Sequence, residues 1–412
     1  MPKENPVMAE ESEISFEIFK AEVLNDFRIA NISREASLLG RREVLTGKAK
    51  FGIFGDGKEL AQLAMAKQFK NGDWRSGYYR DQTFMMAIDQ LSVKEYFAAL
   101  YAHTDLHHEP SSAGRQMGGH YATRSLNDDG TWKNLMAQKN SSADISPTAG
   151  QMPRLLGLAQ ASKIFRNDKN LHGLTELTNK GNEVAFGTIG DASTSEGLFW
   201  ETINAAGVLQ VPMAMSIWDD GYGISVSKEY QTTKESISVA LSGMEKKDGD
   251  KNGYKIFKVK GWNYPSLCTT YEEAVEYTRK YHTPSLIHVE EVTQPQGHST
   301  SGSHERYKSN KRLEWEKKND CNLKMREWIL SNGIASETDL LSIEKESKKE
   351  VKKSKQDAWQ AYSNPIINSR NKLISILKSL EIENNSSDIS QVITDLNNIK
   401  EPSYRDLLSS AR

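Results

Sequence analysis

"FGTIGDASTSEGLFWETINAAGVLQVPMAMSIWDDGYGIS", residues 186–225, holds two acidic corners, Gly190-Asp191 and Asp219-Asp220. Each follows an apolar run rich in strand-type residues, and a helix-like segment lies between them. The runs 184–189 and 213–218 read as strands, and 195–209 as a helix. Ser193 and Glu196 fit the S-x-x-E capping box that would start that helix. Its Leu198, Phe199, Trp200, Ile203, Ala206, Val208 and Leu209 make it apolar nearly all round, so burial of the whole helix is expected. A strand-helix-strand crossover makes the two strands parallel in one sheet. Both acidic corners then lie at the C-terminal edge, where open α/β sheets bind ligands.

Two carboxylates at that edge offer hard oxygen ligands of the kind Mg²⁺ or Ca²⁺ takes. The free N–H groups of a helix start suit a phosphate. Together they describe a metal-bridged diphosphate, although acid-glycine corners are also ordinary turn chemistry. The first turn lacks G-x-G-x-x-G, and the chain has no G-x-x-x-x-G-K-[ST], so neither a nicotinamide site nor a P-loop is indicated.

The alternation extends outward from this unit. A strand is expected over 254–259, a helix over 271–281 and a strand over 285–292. Near-continuous apolar strands of this kind mean a parallel sheet covered on both faces, an α/β fold. Helical spacing marks 15–45, 58–70 and 92–102, and Pro153 opens a helix over 153–166. Residues 103–150 lose periodicity and gather Gly, Ser, Asn and His, a long irregular stretch of the sort that tends to be functional. The expected divisions are a flexible tail at 1–14, the main α/β domain at 15–330, a charged helical segment at 331–380 and a linker or connector at 381–412. Within the last, 382–391 (IENNSSDISQ) reads as flexible, while EKESKKEVKKSKQ (344–356) reads as a solvated helix.

The 412 residues suffice for a large core, and a net charge of −2 leaves no footprint for nucleic acid or a membrane surface. The two cysteines, Cys268 and Cys321, lie far apart without C-x-x-C spacing, which points away from a disulfide scaffold and towards a reducing, cytoplasmic setting. The N-terminal stretch reads as neither a secretory signal nor a transit peptide. No run of about 18 apolar residues suggests a spanning helix.

Several motifs around the opening stretch resemble, in order, the thiamine diphosphate enzymes, and more narrowly the alpha subunit of the decarboxylating first component of 2-oxo acid dehydrogenase complexes. They are GYYRDQ (77–82), GRQMGGHYA (114–122), SPTAGQMP (146–153), GDASTSEG, DDGYGIS and GHSTS (297–301). The second and third look particularly like the branched-chain type. The resemblance covers roughly residues 20–330 and implies the thiamine diphosphate-binding fold, with helical N- and C-terminal segments. It implies that Asp191, Asp220 and the Tyr222 carbonyl hold Mg²⁺. Tyr79 and Arg80 would hold the diphosphate, with the corner of Gly190, Ala192 and Ser193 assisting, and Ser146 and Thr148 would line the pyrimidine end. His298, and more weakly His120, would handle protons beside the reacting centre. The implied reaction is oxidative decarboxylation of a 2-oxo acid, leaning to branched-chain substrates, with acyl transfer to a lipoyl-bearing acyltransferase. The implied partner is a beta subunit or fused beta half, in an alpha2beta2-type oligomer. Residues 392–412 look like a connector into such a half, and the chain alone is expected to be inactive.

The departures from the family pattern are equally specific. Ala192 stands where the motif has Gly, and Asp219-Asp220 where it has an Asn pair, adding negative charge beside a diphosphate. Trp218 occupies the place of a diphosphate-binding Arg, Gly150 that of a potassium-binding Thr, and Ile53 that of the His of pyruvate-type enzymes. A scaffold subunit that has lost the cofactor, or a transketolase or acetoin dehydrogenase type of enzyme, are the competing readings. His103 and His107, at i and i+4, read as a polar loop rather than a zinc grip. The absence of G-x-S-x-G argues against a hydrolase built on His298.

Overall fold

The computed structural model describes residues 15–384 and 386–412; the expected tail at 1–14 lies outside the described residues. Six strands, β1 (Trp74–Ser76), β2 (Asn140–Ser141), β3 (Ala185–Gly190), β4 (Met213–Trp218), β7 (Lys255–Lys260) and β8 (Ser285–Glu290), form one parallel sheet in the order β2-β1-β3-β4-β8-β7. A separate antiparallel ribbon joins β5 (Tyr222–Gly223) to β6 (Val226–Ser227). β3 and β4 run in register from Ala185 opposite Met213 to Gly190 opposite Trp218.

Both faces of the sheet are covered. Met213, Met215 and Ile217 of β4 pack with Leu155 of α5 (Met152–Asn167) and with Phe199 and Ile203 of α6 (Gly197–Leu209). Ala214 and Trp218 point into the opposite core. There they meet α1 (Phe16–Leu45), α2 (Glu59–Lys67), α3 (Gln82–Ala87), α4 (Val93–Leu100) and, after the short α7 (Ile237–Ala240), α8 (Tyr264–Tyr281). The period-2 alternation of a strand puts neighbouring residues into the two cores. Each fully buried Leu, Ile or Phe contributes roughly 1.5–3 kcal/mol of transfer free energy. The α/β architecture with a parallel sheet, helices on both faces and helical terminal segments is thus the one the sequence leads one to expect. Among the described residues no helix is long and apolar enough to cross a membrane.

The link between β3 and β4 differs in detail. Ala192–Ser195 form a 3-10 turn headed by Asp191, and α6 starts only after Glu196. A capping box needs the serine outside the helix and the glutamate inside it. Here Ser193 lies within the turn while Glu196 is extended (φ −72°, ψ 141°), so the two cannot exchange bonds. Nor is α6 buried all round. Phe199, Ile203 and Ala206 are buried, but Leu198, Trp200, Val208 and Leu209 face outward because the sheet covers only one side of the helix.

Past α9 (Asn310–Lys318) and α10 (Cys321–Ser331), α11 runs as one helix over Glu337–Asn384 and packs on α1 and α4. Over 344–356 it is solvated except for Ser347 and Val351, which are buried. The stretch 382–391, expected to be a flexible linker, instead carries the end of α11 and the start of α12 (Ser387–Asn398). Ile374 of α11 with Ile393 and Leu396 of α12 forms a small core of its own, and α13 (Tyr404–Ser410) packs on both helices. The Asn, Ser and Asp content suggested a loop, but apolar residues at helical spacing further along supply the burial that holds the helix.

Candidate metal and diphosphate site

The register of β3 and β4 brings the two acidic corners side by side. The Asp191 amide donates to the Trp218 carbonyl (3.1 Å), and the Asp219 amide donates to the Val289 carbonyl (2.9 Å). The Asp219 carbonyl in turn accepts from the Val292 amide (3.0 Å). Each corner is therefore pinned to the next strand at the C-terminal edge. Asp220 Oδ1 accepts from the Tyr222 amide (3.1 Å), and its carbonyl accepts from Arg312 Nη2 (2.7 Å), which fixes the turn into β5.

The corners open on a cavity of about 340 Å³ lined by Tyr78, Tyr79, Arg80, Thr148, Gly190, Asp191, Ala192, Ser193, Trp218, Asp220, Tyr222 and His298, among others. The Tyr78–Arg80 loop is held from below by Arg75. That guanidinium is wholly buried between Asp81 (2.6 Å) and Asp144 (3.0 Å) and also donates to the Tyr78 carbonyl (3.1 Å). Arg80 donates to the carbonyls of Phe54 (2.8 Å) and His298 (2.9 Å). Its positive charge is consequently fixed at the wall, with no carboxylate among these hydrogen-bond partners. The amides of Ala192 and Ser193 precede the first bond of their turn, Thr194 N to the Asp191 carbonyl (3.0 Å), and that of Ala192 faces the Asp191 carboxyl. A cavity of equal volume beside α6 has only Glu245 and Asp250 as charged lining and gathers no cation.

The electrostatics single out Asp191. It is 5% exposed, and its Oδ2 is buried with no hydrogen-bond partner among the described residues. Burial, aided by the charges of Asp220 and Asp219, pushes its carboxyl well above the usual range. Burial also works to raise Asp219, but His288 Nε2 (3.0 Å) and Lys228 Nζ (2.9 Å) hold it down at about 2. Burial pushes the His298 imidazole down to about 4, and the Arg80 charge adds to that. An unpaired, buried carboxylate oxygen beside a second carboxylate is the arrangement a divalent cation would relieve. Mg²⁺ prefers such ligands and takes its remaining ones from phosphate and water. Among the described residues no three His, Cys, Asp or Glu side chains form a metal cage, which fits a site only partly built by side chains. The donor set therefore fits a cation held jointly with a diphosphate.

The structure thus gathers Tyr79, Arg80, Thr148, Gly190, Asp191, Ala192, Ser193, Asp220, Tyr222 and His298 around one cavity. Ser146 and His120 are not among its lining. They pair with each other (Oγ to Nε2, 2.9 Å) next door, where the His120 ring lies 6.3 Å from that of Tyr79. Sequence reasoning missed Lys58, whose Nζ lies 3.5 Å from Asp220 Oδ2, as well as Lys228 and His288 at Asp219. Lys58 left one signal: a cation at the start of a helix opposes the helix dipole. His288, inside an apolar strand, left none. Ser238 Oγ, His288 and Asp219 form a hydrogen-bonded series (2.8 and 3.0 Å), but Ser238 is buried and offers no accessible nucleophile.

The model of the family described as "Dehydrogenase E1 component" matches residues 30–366. The chain belongs to that family. Its relatives include the 2-oxoisovalerate dehydrogenase subunit alpha of Bacillus subtilis (strain 168), 26% identical over 71% of this chain and 77% of the relative. The pyruvate dehydrogenase E1 component subunit alpha of Rickettsia bellii (strain RML369-C) is 28% identical over 43% of this chain and 52% of the relative. The mitochondrial 2-oxoisovalerate dehydrogenase subunit alpha 2 of Arabidopsis thaliana is 28% identical over 58% and 43% respectively. The match to the last two thus covers about half of their length or less. The resemblance to E1 alpha subunits drawn from the motifs holds, and relatives named for both branched-chain and pyruvate enzymes are similar to this chain.

Proposed function

We propose that this E1 chain supplies the metal and diphosphate half of a 2-oxo acid dehydrogenase site, acting in oxidative decarboxylation of a 2-oxo acid. The observation that carries this reading is the orphaned Asp191 Oδ2 beside Asp220 at the sheet edge. Asp191, Asp220 and the Tyr222 carbonyl would hold Mg²⁺. Thiamine diphosphate, when bound, supplies the electron sink that decarboxylation of a 2-oxo acid requires. The chain's own residues anchor and orient. Tyr79, Arg80 and the amides of Ala192 and Ser193 would take the diphosphate, and Thr148 and Ser146 would line the pyrimidine end. His298, neutral at physiological pH because of its depressed pKa, can accept and return a proton at its ring nitrogen. His120, fixed by the Met117 carbonyl and Ser146, holds its tautomer next to Tyr79.

The cavity lining includes exposed Thr148 and Ile224, and α6 turns Leu198, Trp200, Val208 and Leu209 outward. Both features support a beta subunit or beta half that completes the site in an alpha2beta2-type oligomer, with a lipoyl-bearing acyltransferase as acyl acceptor. The branched-chain motifs and the match over 71% of this chain to the Bacillus subtilis subunit support a branched-chain substrate, and the free thiols Cys268 and Cys321 suit a cytoplasmic setting. The test is turnover of a panel of 2-oxo acids, with the beta partner, Mg²⁺, thiamine diphosphate and an artificial electron acceptor. Highest kcat/KM with branched-chain acids supports the reading, and no turnover of any 2-oxo acid overturns it.

A further inference from the structure

Lys58 is the most unusual group near the site. It stands immediately before α2, its side chain is 1% exposed, and its ammonium donates to Gln294 Oε1 (2.8 Å) and the Thr293 carbonyl (3.3 Å). The carboxylate within ion-pair distance is Asp220, whose Oδ2 lies at 3.5 Å, and Asp56, Glu59 and Arg80 also act on the Lys58 charge. The loop is shaped for this placement. Gly57 has φ +87°, and a Cβ there would lie 2.1 Å from the Thr293 carbonyl, so only glycine lets the loop come down onto the segment that follows β8. A buried ammonium at a helix start contributes little to stability, because desolvation offsets its pairing and the helix dipole opposes it. Its position behind Asp220 gives it a different consequence.

We propose that Lys58 is a positioning residue that makes cation entry at the Asp191–Asp220 corner depend on the diphosphate. Its ammonium shares the Asp220 carboxylate, so a bare divalent cation meets a ligand already paired with a positive charge. A cation arriving with an anionic diphosphate meets no such penalty, since the same ammonium attracts the added negative charge. The extra acid at the second corner is thereby matched by a cation held in the chain itself, and metal and diphosphate bind as one unit. The inference rests on the reading of the site given above, and its consequence for bare metal can be read independently of it.

The test uses the full chain, stripped with EDTA, and Mn²⁺ binding followed by electron paramagnetic resonance, with and without thiamine diphosphate. Wild type is expected to bind Mn²⁺ alone weakly and at least about tenfold more tightly with thiamine diphosphate present. In Lys58→Gln, Mn²⁺ alone is expected to bind about tenfold more tightly than in wild type, while thiamine diphosphate binds more weakly. A merely structural role would weaken both. Lys58→Met, which removes the charge without leaving an unpaired donor, carries the same expectation should the glutamine variant fail to fold. Folded variants that bind Mn²⁺ alone no more tightly than wild type overturn the proposal. Wild type that takes Mn²⁺ but no thiamine diphosphate refutes the reading of the site instead, and the Mn²⁺ comparison still decides the role of Lys58.

Discussion

Asp191→Asn should stabilise the cofactor-free chain while abolishing its function. In the folded chain this carboxyl is buried, one oxygen has no partner among the described residues, and Asp219 and Asp220 lie alongside. Its folded pKa is raised above the unfolded one, so the folded state holds an extra proton between the two values. The associated stability is present below the ordinary carboxylate range and is lost as pH rises through the raised value. An amide carries no charge to repel its neighbours and can donate to them. Leaving a buried polar group unpaired costs about 1–3 kcal/mol. A chain of 412 residues has an unfolding entropy of ~0.9 kcal/mol/K at about 2.1 cal/mol/K per residue. The variant should therefore melt roughly 1–3 °C higher at pH 8, with a smaller advantage at pH 5. Differential scanning calorimetry of the cofactor-free proteins measures this directly. An advantage that is absent at pH 8, or that shrinks as pH rises, would refute the reasoning.

Arg75→Met should cost about 3–5 kcal/mol in urea unfolding, because it strands the buried carboxylates of Asp81 and Asp144; a loss under 1 kcal/mol would count against this. The His298 ring, followed by nuclear magnetic resonance in the cofactor-free chain, should titrate at about 4, and a midpoint near the ordinary histidine value contradicts its burial beside Arg80. With the beta partner present, His298→Ala should lower turnover by about 10²–10⁴-fold while leaving the affinity for thiamine diphosphate within about threefold. Equal losses in both would make His298 a binding residue instead.

The sheet was legible because β3, β4 and β8 are apolar runs ended by Gly-Asp, Asp-Asp and Glu-Glu, a period and punctuation that belong to buried parallel strands. Cysteine spacing, charge balance and the missing phosphate-loop fingerprints narrowed the chemistry, and six ordered motifs made it specific. What escaped sequence reasoning depends on distances across the fold. The Ser193–Glu196 spacing suits a capping box, yet Asp191 turns the chain one step earlier because its amide completes the ladder to Trp218. The apolar α6 looked wholly buried, but a helix lying on one sheet face leaves Leu198 and Val208 outside. The cations that balance Asp220 and Asp219 come from the residue before α2 and from the segment after β6, 162 and 9 residues away in sequence (220 minus 58, 228 minus 219). No local pattern couples Lys58 to Asp220; only the packing of the Gly57 turn on Thr293 does.

Whether the two acidic corners form one cation and diphosphate site is tested most directly by isothermal calorimetry with thiamine diphosphate. Titrations into the stripped chain, alone and with the beta partner, should give saturable binding with Mg²⁺ present. That binding should be lost in EDTA and in Asp191→Asn. No binding with Mg²⁺ present, in either form of the protein, would contradict the account, as would binding indifferent to both the metal and Asp191.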